Sequence, residues 1–350
     1  MSALQFGLYA PIPMATVGSP QAAQAVQEAL GPLPDGRRDA QFEHALNLLL
    51  AADKAGFELT LFAERPLGHD LAAWVLASAI APQFENIRPL VAVHPGLWDP
   101  VMTAKLAVSL DRICKKPMAI NIVNGWFDEE FRMFGGTVLQ GEERYQRTTE
   151  FIDIMRGLWT QENFSLDGAH YKVDKGQLLL KPRSAEPPEI FSVSRSDRGR
   201  RFIAEICDWW FIEFPKDAED PDDLTRQVEA SVADMNRRCQ ESGRKVRFGL
   251  NPFIAVARSE KEALDETVAT IYATDPQTDQ RKLEQRMLPA LKAGCIGAPK
   301  DVRKQIQRFA DLGIELILCK MVATVDNMHK IAAEVIAPMR GGGGFSQAAE

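Results

Sequence analysis

No two of the five cysteines, Cys114, Cys207, Cys239, Cys295 and Cys319, form a CxxC pair. Their odd number and wide scatter argue against both a disulfide framework and a zinc site. No unbroken apolar run approaches the roughly 18 residues that cross a bilayer. The opening stretch Met1–Gly7 has no basic region of a secretory leader, so a cytoplasmic protein is expected. Lys plus Arg number 41 against 48 Asp plus Glu, a net charge of −7, which removes the basic surplus that nucleic acid demands. There is no GxGxxG, Walker A, HExxH or GxSxG segment and no EF-hand loop. Those absences set aside dinucleotides and ATP held by such loops, zincins, α/β-hydrolases and calcium sensors. The histidines His44, His69, His94, His170 and His329 show no ligand spacing, and no metal is expected.

What is present is a soluble globular balance, 45% apolar and 25% charged in 350 residues, enough for a sizeable core. Short apolar, β-branched runs alternate with amphipathic helical stretches. The runs predict strands at Leu4–Tyr9, Leu59–Phe62, Arg88–His94, Met118–Val123, Glu189–Val193, Trp209–Glu213, Val246–Ala255 and Leu316–Cys319. Helices are predicted at Ala40–Ala55, Leu71–Ala81, Pro100–Ile113, Gly141–Trp159, Asp197–Ile206, Asp222–Ser242, Lys261–Ala273, Pro299–Leu312 and Val325–Met339. Gly56 and Gly313 follow helices where a left-handed C-cap favours glycine.

Eight strands each followed by a helix is the arithmetic of a (β/α)8 TIM barrel, an α/β fold of about 250 residues. A doubly wound sheet is the alternative, but the first βα turn, Ala10-Pro11-Ile12-Pro13-Met14, has no glycine-rich fingerprint. One domain over residues 1–340 is expected, with a flexible tail at 341–350. Insertions fall at Met14–Asp39, Gln161–Pro188 and Ala273–Ile296. The second holds a hairpin signal, Asp167-Gly168 between alternating runs. The first, with Gly18, Gly31 and Gly36, could close as a lid.

Barrel chemistry sits at the C-terminal ends of strands. Those positions read Tyr9; Ala63, Glu64 and Arg65; His94 with Trp98; Asn124, Gly125 and Trp126; Ser194, Arg195 and Ser196; Glu213; Asn251 and Phe253; and Lys320. The set is rich in aromatic and hydrogen-bonding groups without an obvious acid–base pair, which suits a flat cofactor that carries the chemistry. Ser194-Arg195-Ser196 opens a helix, where backbone N–H groups favour an anion. A plain N-cap by Ser196 with Arg195 in solvent is the equal alternative. Taken alone, His69 and His94 read more readily as structural histidines, and Lys320 reads equally as a solvated lysine.

The segments Asn121-Ile122-Val123-Asn124-Gly125-Trp126-Phe127 and Glu143-Arg144-Tyr145-Gln146-Arg147 carry a resemblance, as do Arg156–Gln161, Pro187–Phe191, Asp208–Phe211 and Gly249–Phe253. Together they resemble the luciferase-like, reduced-flavin-dependent monooxygenases, nearest the dimethylsulfone and alkanesulfonate branch. The resemblance implies a barrel that uses FMN as FMNH2, with O2 as co-substrate. It also implies a separate NAD(P)H-dependent flavin reductase as partner and a homodimer or homotetramer. Carried across, Tyr145, Ser194, Arg195 and Ser196 would hold the flavin phosphate, with Ala63, His94 and Asn124 beside the ring. Arg65, Asn251 and Lys320 become the catalytic candidates, polarising an oxygenated substrate or stabilising a peroxide. Tyr9, His69, Trp98, Trp126 and Phe253 become the substrate walls.

Departures bear on the substrate more than on the cofactor. Asn251 and Phe253 stand where alkanesulfonate enzymes have Arg-x-His, so a sulfone is expected before a sulfonate. Val193-Ser194-Arg195-Ser196 replaces Gly-Gly-Ser-Ser, and Cys319-Lys320-Met321 replaces Ser-Gly-aromatic. The expected activity is oxygenation and C–S cleavage of a small organosulfur compound. A nitrogen heterocycle or cyclic amide as substrate, and a non-enzymatic flavin-binding protein, are the alternatives.

Overall fold

A computed structural model describes residues 3–11, 36–66, 70–125, 128–215, 217–274 and 280–341. In chain order the elements begin with β1 (Gln5–Tyr9), α1 (Ala40–Lys54), β2 (Leu59–Phe62), α2 (Ala73–Ile80), β3 (Arg88–Val93), α3 (Pro100–Ile113) and β4 (Ala119–Ile122). They continue with α4 (Asp128–Met133), α5 (Gly141–Thr160), β5 (Phe164–Asp167), β6 (Lys172–Gly176), β7 (Glu189–Val193), α6 (Asp197–Ile206) and β8 (Trp209–Ile212). Next come α7 (Pro221–Ser242), β9 (Arg247–Leu250), β10 (Ala255–Val256), α8 (Glu260–Thr274), α9 (Gln280–Lys292) and β11 (Ile296–Gly297). The last are α10 (Pro299–Asp311), β12 (Ile314–Cys319), α11 (Val325–Ile331), a π-helical turn (Ala332–Ile336) and α12 (Ala337–Met339).

Strands β1, β2, β3, β4, β7, β8, β9 and β12 close into a parallel barrel, with β1 pairing both β2 and β12. This is the (β/α)8 architecture that the alternation of elements predicts. Parallel neighbours require a crossover, and the intervening helices supply it. Every second side chain faces the axis: Leu59, Leu61, Leu90, Ala92, Ala119, Phe191, Trp209, Phe211, Leu316 and Leu318 form an inner cluster. Their neighbours, such as Ile120, Ile190, Trp210 and Ile317, pack outward against the helices. The Trp209-Trp210 pair is split accordingly between the two layers.

The N-terminal end of the barrel is sealed by paired charge. Arg88 bonds Glu189, and Arg247 reaches Glu315 at 3.0 Å and Glu189 at 3.7 Å while stacking over the Trp209 ring. The five cysteines are buried free thiols. Among the described residues no helix is long and apolar enough to cross a membrane.

Several boundaries differ from expectation. The predicted Val246–Ala255 strand stops at Leu250, because Pro252 has no N–H to donate. Its carbonyl instead accepts from Lys320 N, and Ile254 N donates back to Lys320 O. The chain then forms β10, which pairs with β11 in a separate two-stranded sheet. The Ala273–Ile296 insertion carries helix α9, whose Leu283, Met287 and Ala290 pack with Ala263 and Ile271 of α8. The predicted last helix contains the π-turn. Pro338 cannot donate to Glu334, and Arg303 takes that carbonyl. Residues 14–35 of the first insertion, where a lid is expected, and 342–350 of the tail lie outside the described residues.

The Gln161–Pro188 hairpin forms, but its turn is longer than the Asp-Gly pair predicts. Asp167 pairs with Lys172, leaving Gly168–Tyr171 as the loop, and Gly168 takes no positive φ. The cause is Glu150 of α5. Its buried carboxylate accepts from the backbone N–H of Ala169, His170 and Tyr171 at 2.9, 2.8 and 3.1 Å. Replacing it strands three donors. Glu150→Ala is therefore expected to lower unfolding stability by about 3 kcal/mol and to expose the Tyr171 peptide to chymotrypsin. Urea denaturation with limited proteolysis checks this, and an unchanged midpoint would remove the clamp role.

Candidate functional site

The C-terminal mouth inherits the alternation of the strands. Continuing each inward series by one step brings Tyr9, Ala63, His94, Val123, Val193, Glu213, Asn251 and Lys320 to the rim. Polar groups gather on the side formed by β8, β9, β12 and β1. Asn251 Nδ2 donates to Tyr9 Oη at 3.1 Å, and Lys320 Nζ lies 5.9 Å from the centre of the Tyr9 ring. Glu213 and Arg195 form an ion pair of 3.0 Å.

Burial, opposed in part by the Asn251 hydrogen bond, pushes the Tyr9 phenol up to about 12. Solvent reaches Lys320 through the open mouth, yet the surrounding walls pull its ammonium pKa below the ordinary lysine value. Glu213 acts against that pull, and Arg195 adds to it.

The opposite side of the rim is mostly apolar. Its one titratable member, His94, is 1% exposed and bonds the Glu64 carbonyl through Nε2 at 2.9 Å. A carbonyl only accepts, so Nε2 carries the proton and Nδ1 is left as a buried acceptor without a partner. Burial lowers the His94 pKa, while the Glu64 carbonyl and the charge of Glu130 raise it.

Beside the mouth, three hydroxyls converge at the start of α6. Tyr145 Oη lies 3.2 Å from Ser196 Oγ and 3.5 Å from Ser194 Oγ, and the two serines are 3.2 Å apart. Ser196 is the N-cap and accepts from Gly199 N at 3.0 Å. The Ser194 carbonyl is held by Trp210 Nε1 at 3.3 Å. Arg198 sits over the Tyr145 ring at 4.8 Å and is fixed in two bonds by Glu142.

Gly199 is what keeps this cradle open. A Cβ there would lie 1.9 Å from Ser194 Oγ and 2.5 Å from Tyr145 Oη. Hydroxyls, a nearby guanidinium and a helix N-terminus are the chemistry of a phosphate monoester site, so these residues fit a flavin phosphate. Asn124 has the matching form at the end of β4. Its Oδ1 is anchored by Thr148 Oγ1 at 2.9 Å, and its buried Nδ2 has no partner.

The remaining candidates are distributed differently. Arg195, an exposed member of the Ser194–Ser196 turn, pairs with Glu213 and donates to the Phe214 carbonyl. Arg65 is tied to Asp70 by two hydrogen bonds. Ala63, with Ala10, Pro11, Asp70 and Leu71, lines a small recess between the ends of β1 and β2. Trp98 packs against Trp74 of α2 at 6.4 Å between ring centres. Phe253 belongs to the α8–α9 side cluster, although its backbone bridges to Lys320. His69 and Trp126 lie outside the described residues.

Gly199, Arg198 and Asp70 are not among the sequence candidates. For Gly199 a signal exists: Ser196-x-x-Gly199 puts glycine where a capping box has Glu or Gln, a mark of close approach. Among the described residues no group of three or more His, Cys, Asp or Glu could hold a metal ion.

Comparison with known proteins agrees with this geometry. A family profile described as luciferase-like monooxygenase matches residues 14–316. The chain is 26% identical over 333 residues to the FMNH2-dependent dimethylsulfone monooxygenase of Pseudomonas putida, covering 87% of this chain and 90% of that protein. Among solved structures it superposes on riboflavin lyase RcaE with modified FMN and its substrate riboflavin, with a TM-score of 0.75 at 16% identity. That match covers 99% of this chain and 94% of the other. DmoA from Hyphomicrobium sulfonivorans gives a TM-score of 0.71 at 15% identity, covering 100% and 90%. At these identities the two structures speak for the fold alone.

The cradle makes a phosphate-specific prediction. Gly199→Ala should weaken FMN binding by about tenfold or more, the equivalent of one lost charge-assisted hydrogen bond. Riboflavin, which has no phosphate, should bind the variant and the wild type equally. Fluorescence titration with both ligands measures this; parallel losses would point to a general distortion instead.

Proposed function

The chain belongs to the luciferase-like monooxygenase family, and from that premise we propose that it is the oxygenase of a two-component system, using FMNH2 and O2 to oxygenate and cleave the C–S bond of a small organosulfur compound such as a sulfone. The observation that carries this reading is the three-hydroxyl cradle opening α6 beside a barrel mouth rimmed with unspent donors. Bound reduced flavin supplies the electrons that activate O2. The protein's part is to hold it, exclude water and aim the oxygen.

In this reading Tyr145, Ser194, Arg195 and Ser196 would hold the phosphate, with Arg198 close by. Asn124, whose Nδ2 is free to donate, would hold the flavin ring together with Ala63 and His94. Asn251 and Lys320 face the substrate and polarise its oxygens. Arg65, oriented by Asp70, presents a fixed cation at the end of β2. Tyr9 lines the site, and Trp98, Phe253, His69 and Trp126 are the further residues assigned to substrate contact in this reading.

A separate NAD(P)H-dependent reductase supplies the reduced flavin, which accords with the missing dinucleotide loop in this sequence. Residues 1–340 act as one barrel domain in a cytoplasmic homodimer or homotetramer.

An anaerobic titration tests the cofactor first, followed through the six tryptophans. FMNH2 is expected to quench more strongly, and at lower concentration, than FMN. Aerobic product analysis with a panel of sulfones then tests the reaction. Arg65→Ala should cut product formation by about tenfold or more while FMN affinity stays close to wild type. Failure of both flavin forms to bind, by fluorescence and by calorimetry, would overturn the reading. Undiminished product from Arg65→Ala would remove Arg65 from it.

A further inference from the structure

Arginines near the mouth answer carboxylates, as Arg65 does Asp70 and Arg195 does Glu213. Arg147 of α5 does not. It is 6% exposed, and its Nε is buried without a partner. Its guanidinium donates from Nη1 to the Thr137 carbonyl at 2.8 Å. Burial lowers the Arg147 pKa, the Tyr171 phenol opposes that, and the charge of Arg144 adds to it. A buried cation with no counter-charge is costly, and an apolar side chain would fill the same space without that cost.

What a guanidinium adds is a rigid flat face with donors at its edge. That face lies against Gly96, in the turn that follows β3. A Cβ on Gly96 would stand 2.4 Å from Arg147 Cζ and 2.6 and 2.7 Å from its two Nη atoms. The Phe131 ring of α4 lies 5.4 Å from the same Cζ. Gly96 also has a φ of +97°, so the turn and the close approach both require glycine.

The turn is closed on His94, whose carbonyl accepts from Leu97 N at 3.1 Å and from Trp98 N at 3.2 Å. The loop after α4 meets it closely as well. A Cβ on Gly136 would lie 2.9 Å from Leu97 Cδ2, 3.0 Å from Phe131 Cδ1 and 3.1 Å from the Gly96 carbonyl. Arg147 therefore joins three segments: α5, the α4 loop through Phe131 and Thr137, and the turn that carries His94 and Trp98. In a close-packed contact of this kind a shift of one member displaces the others.

We propose that Arg147 is a positioning residue for the oxygenation. Its flat side chain, set between Gly96 and Phe131, holds the turn from His94 to Trp98 in the shape that directs oxygen to the substrate. This rests on the monooxygenase reading, in which His94 serves the flavin ring and Trp98 the substrate. Coupled turnover uses one FMNH2 and one O2 per substrate, and gives FMN, water and a product with one added oxygen atom. Uncoupled turnover converts the same FMNH2 and O2 into FMN and hydrogen peroxide. The clamp acts on the division between the two.

Two measurements on the full-length protein test this. Amide hydrogen exchange without ligand reads the turn itself. Arg147→Lys, which keeps the charge and loses the flat face, should speed exchange at Leu97 and Trp98 about tenfold. Phe131→Leu should act in the same direction, and strands β7 and β8 should exchange as in wild type. The second measurement mixes photoreduced FMNH2 with aerobic protein in excess and dimethyl sulfone, and counts product and hydrogen peroxide per FMNH2. Product per FMNH2 should fall about tenfold in Arg147→Lys, with peroxide making up the difference, while FMN affinity stays close to wild type.

Wild-type exchange and coupling in Arg147→Lys would overturn the proposal, since charge alone would then suffice. Faster exchange with unchanged product per FMNH2 would also overturn it, because a purely structural prop loosens the turn without diverting oxygen. If Arg147→Lys fails to fold, Phe131→Leu, which leaves the guanidinium in place, decides by the same two readings. Wild type that turns all FMNH2 into peroxide with every sulfone would instead bring down the monooxygenase reading, and with it the purpose given to the clamp.

Discussion

The period-two alternation of a closed parallel sheet is the constraint from which both the core and the mouth follow. Each barrel strand gives every second side chain to the axis. Leu59 and Leu61 lead to Ala63, Leu90 and Ala92 to His94, Trp209 and Phe211 to Glu213, and Leu316 and Leu318 to Lys320. A slip of one residue in β12 would exchange Lys320 for Cys319 at the axis and turn an apolar wall outward. The register that packs Phe191 on Trp209 at 4.9 Å is thus the same register that assembles the rim. Stability and function are not separable along these strands, because one hydrogen-bond ladder sets both.

The two ends of the barrel treat charge in opposite ways. At the N-terminal end Arg88, Glu189, Arg247 and Glu315 satisfy one another and close the floor. At the C-terminal end Glu213 and Arg195 pair, but Lys320, the Tyr9 hydroxyl hydrogen and Asn124 Nδ2 remain unspent. An orphaned polar atom assigns nothing by itself, for Thr60 Oγ1 and Trp209 Nε1 are also buried without partners in the barrel wall. The mouth differs in that its unspent groups lie at the strand ends of one rim, beside a hydroxyl cradle from which Gly199 keeps a side chain away. Buried polar groups are normally partnered, and a cluster of exceptions at the catalytic end of this fold marks where a ligand belongs.

Periodicity and punctuation made the architecture legible. The strands at Leu59–Phe62 and Glu189–Val193 and the helices at Pro100–Ile113 and Asp197–Ile206 have the predicted limits. Short apolar runs and helix-capping residues are local signals, so local reading finds them. Helix α9 was not legible, because a segment with Pro289 inside it and several charged residues reads as an insertion until α8 offers it an apolar face. The hairpin turn was misjudged for a similar reason. The Asp-Gly signal lies in the sequence, whereas Glu150, which captures the loop, lies on a helix that precedes it. Side-chain commitments were the least legible part. Whether Arg65 and Arg195 face a ligand or a carboxylate depends on Asp70 and Glu213, and for Arg195 the partner belongs to the next strand.

His94 shows how burial decides which residue supplies charge at the rim. A histidine at a strand end would ordinarily share its proton with solvent near neutral pH. Here desolvation is the largest influence, and it favours the neutral ring. The Glu64 carbonyl then fixes the remaining proton on Nε2, and Nδ1 is left as a buried acceptor. Because the depressed value lies below that of the unfolded chain, protonation opposes folding. Stability through this group is present above the unfolded histidine pKa and declines as pH falls toward the folded value. The rim therefore divides into a mostly apolar half, where burial favours a neutral His94 and Arg65 is paired with Asp70, and a polar half, where Lys320 stands beside the Glu213–Arg195 pair. That division is a product of the strand order β2, β3, β4, β7 against β8, β9, β12, β1. An asymmetric ligand entering such a mouth meets an electrostatic gradient fixed by the backbone before any side chain moves.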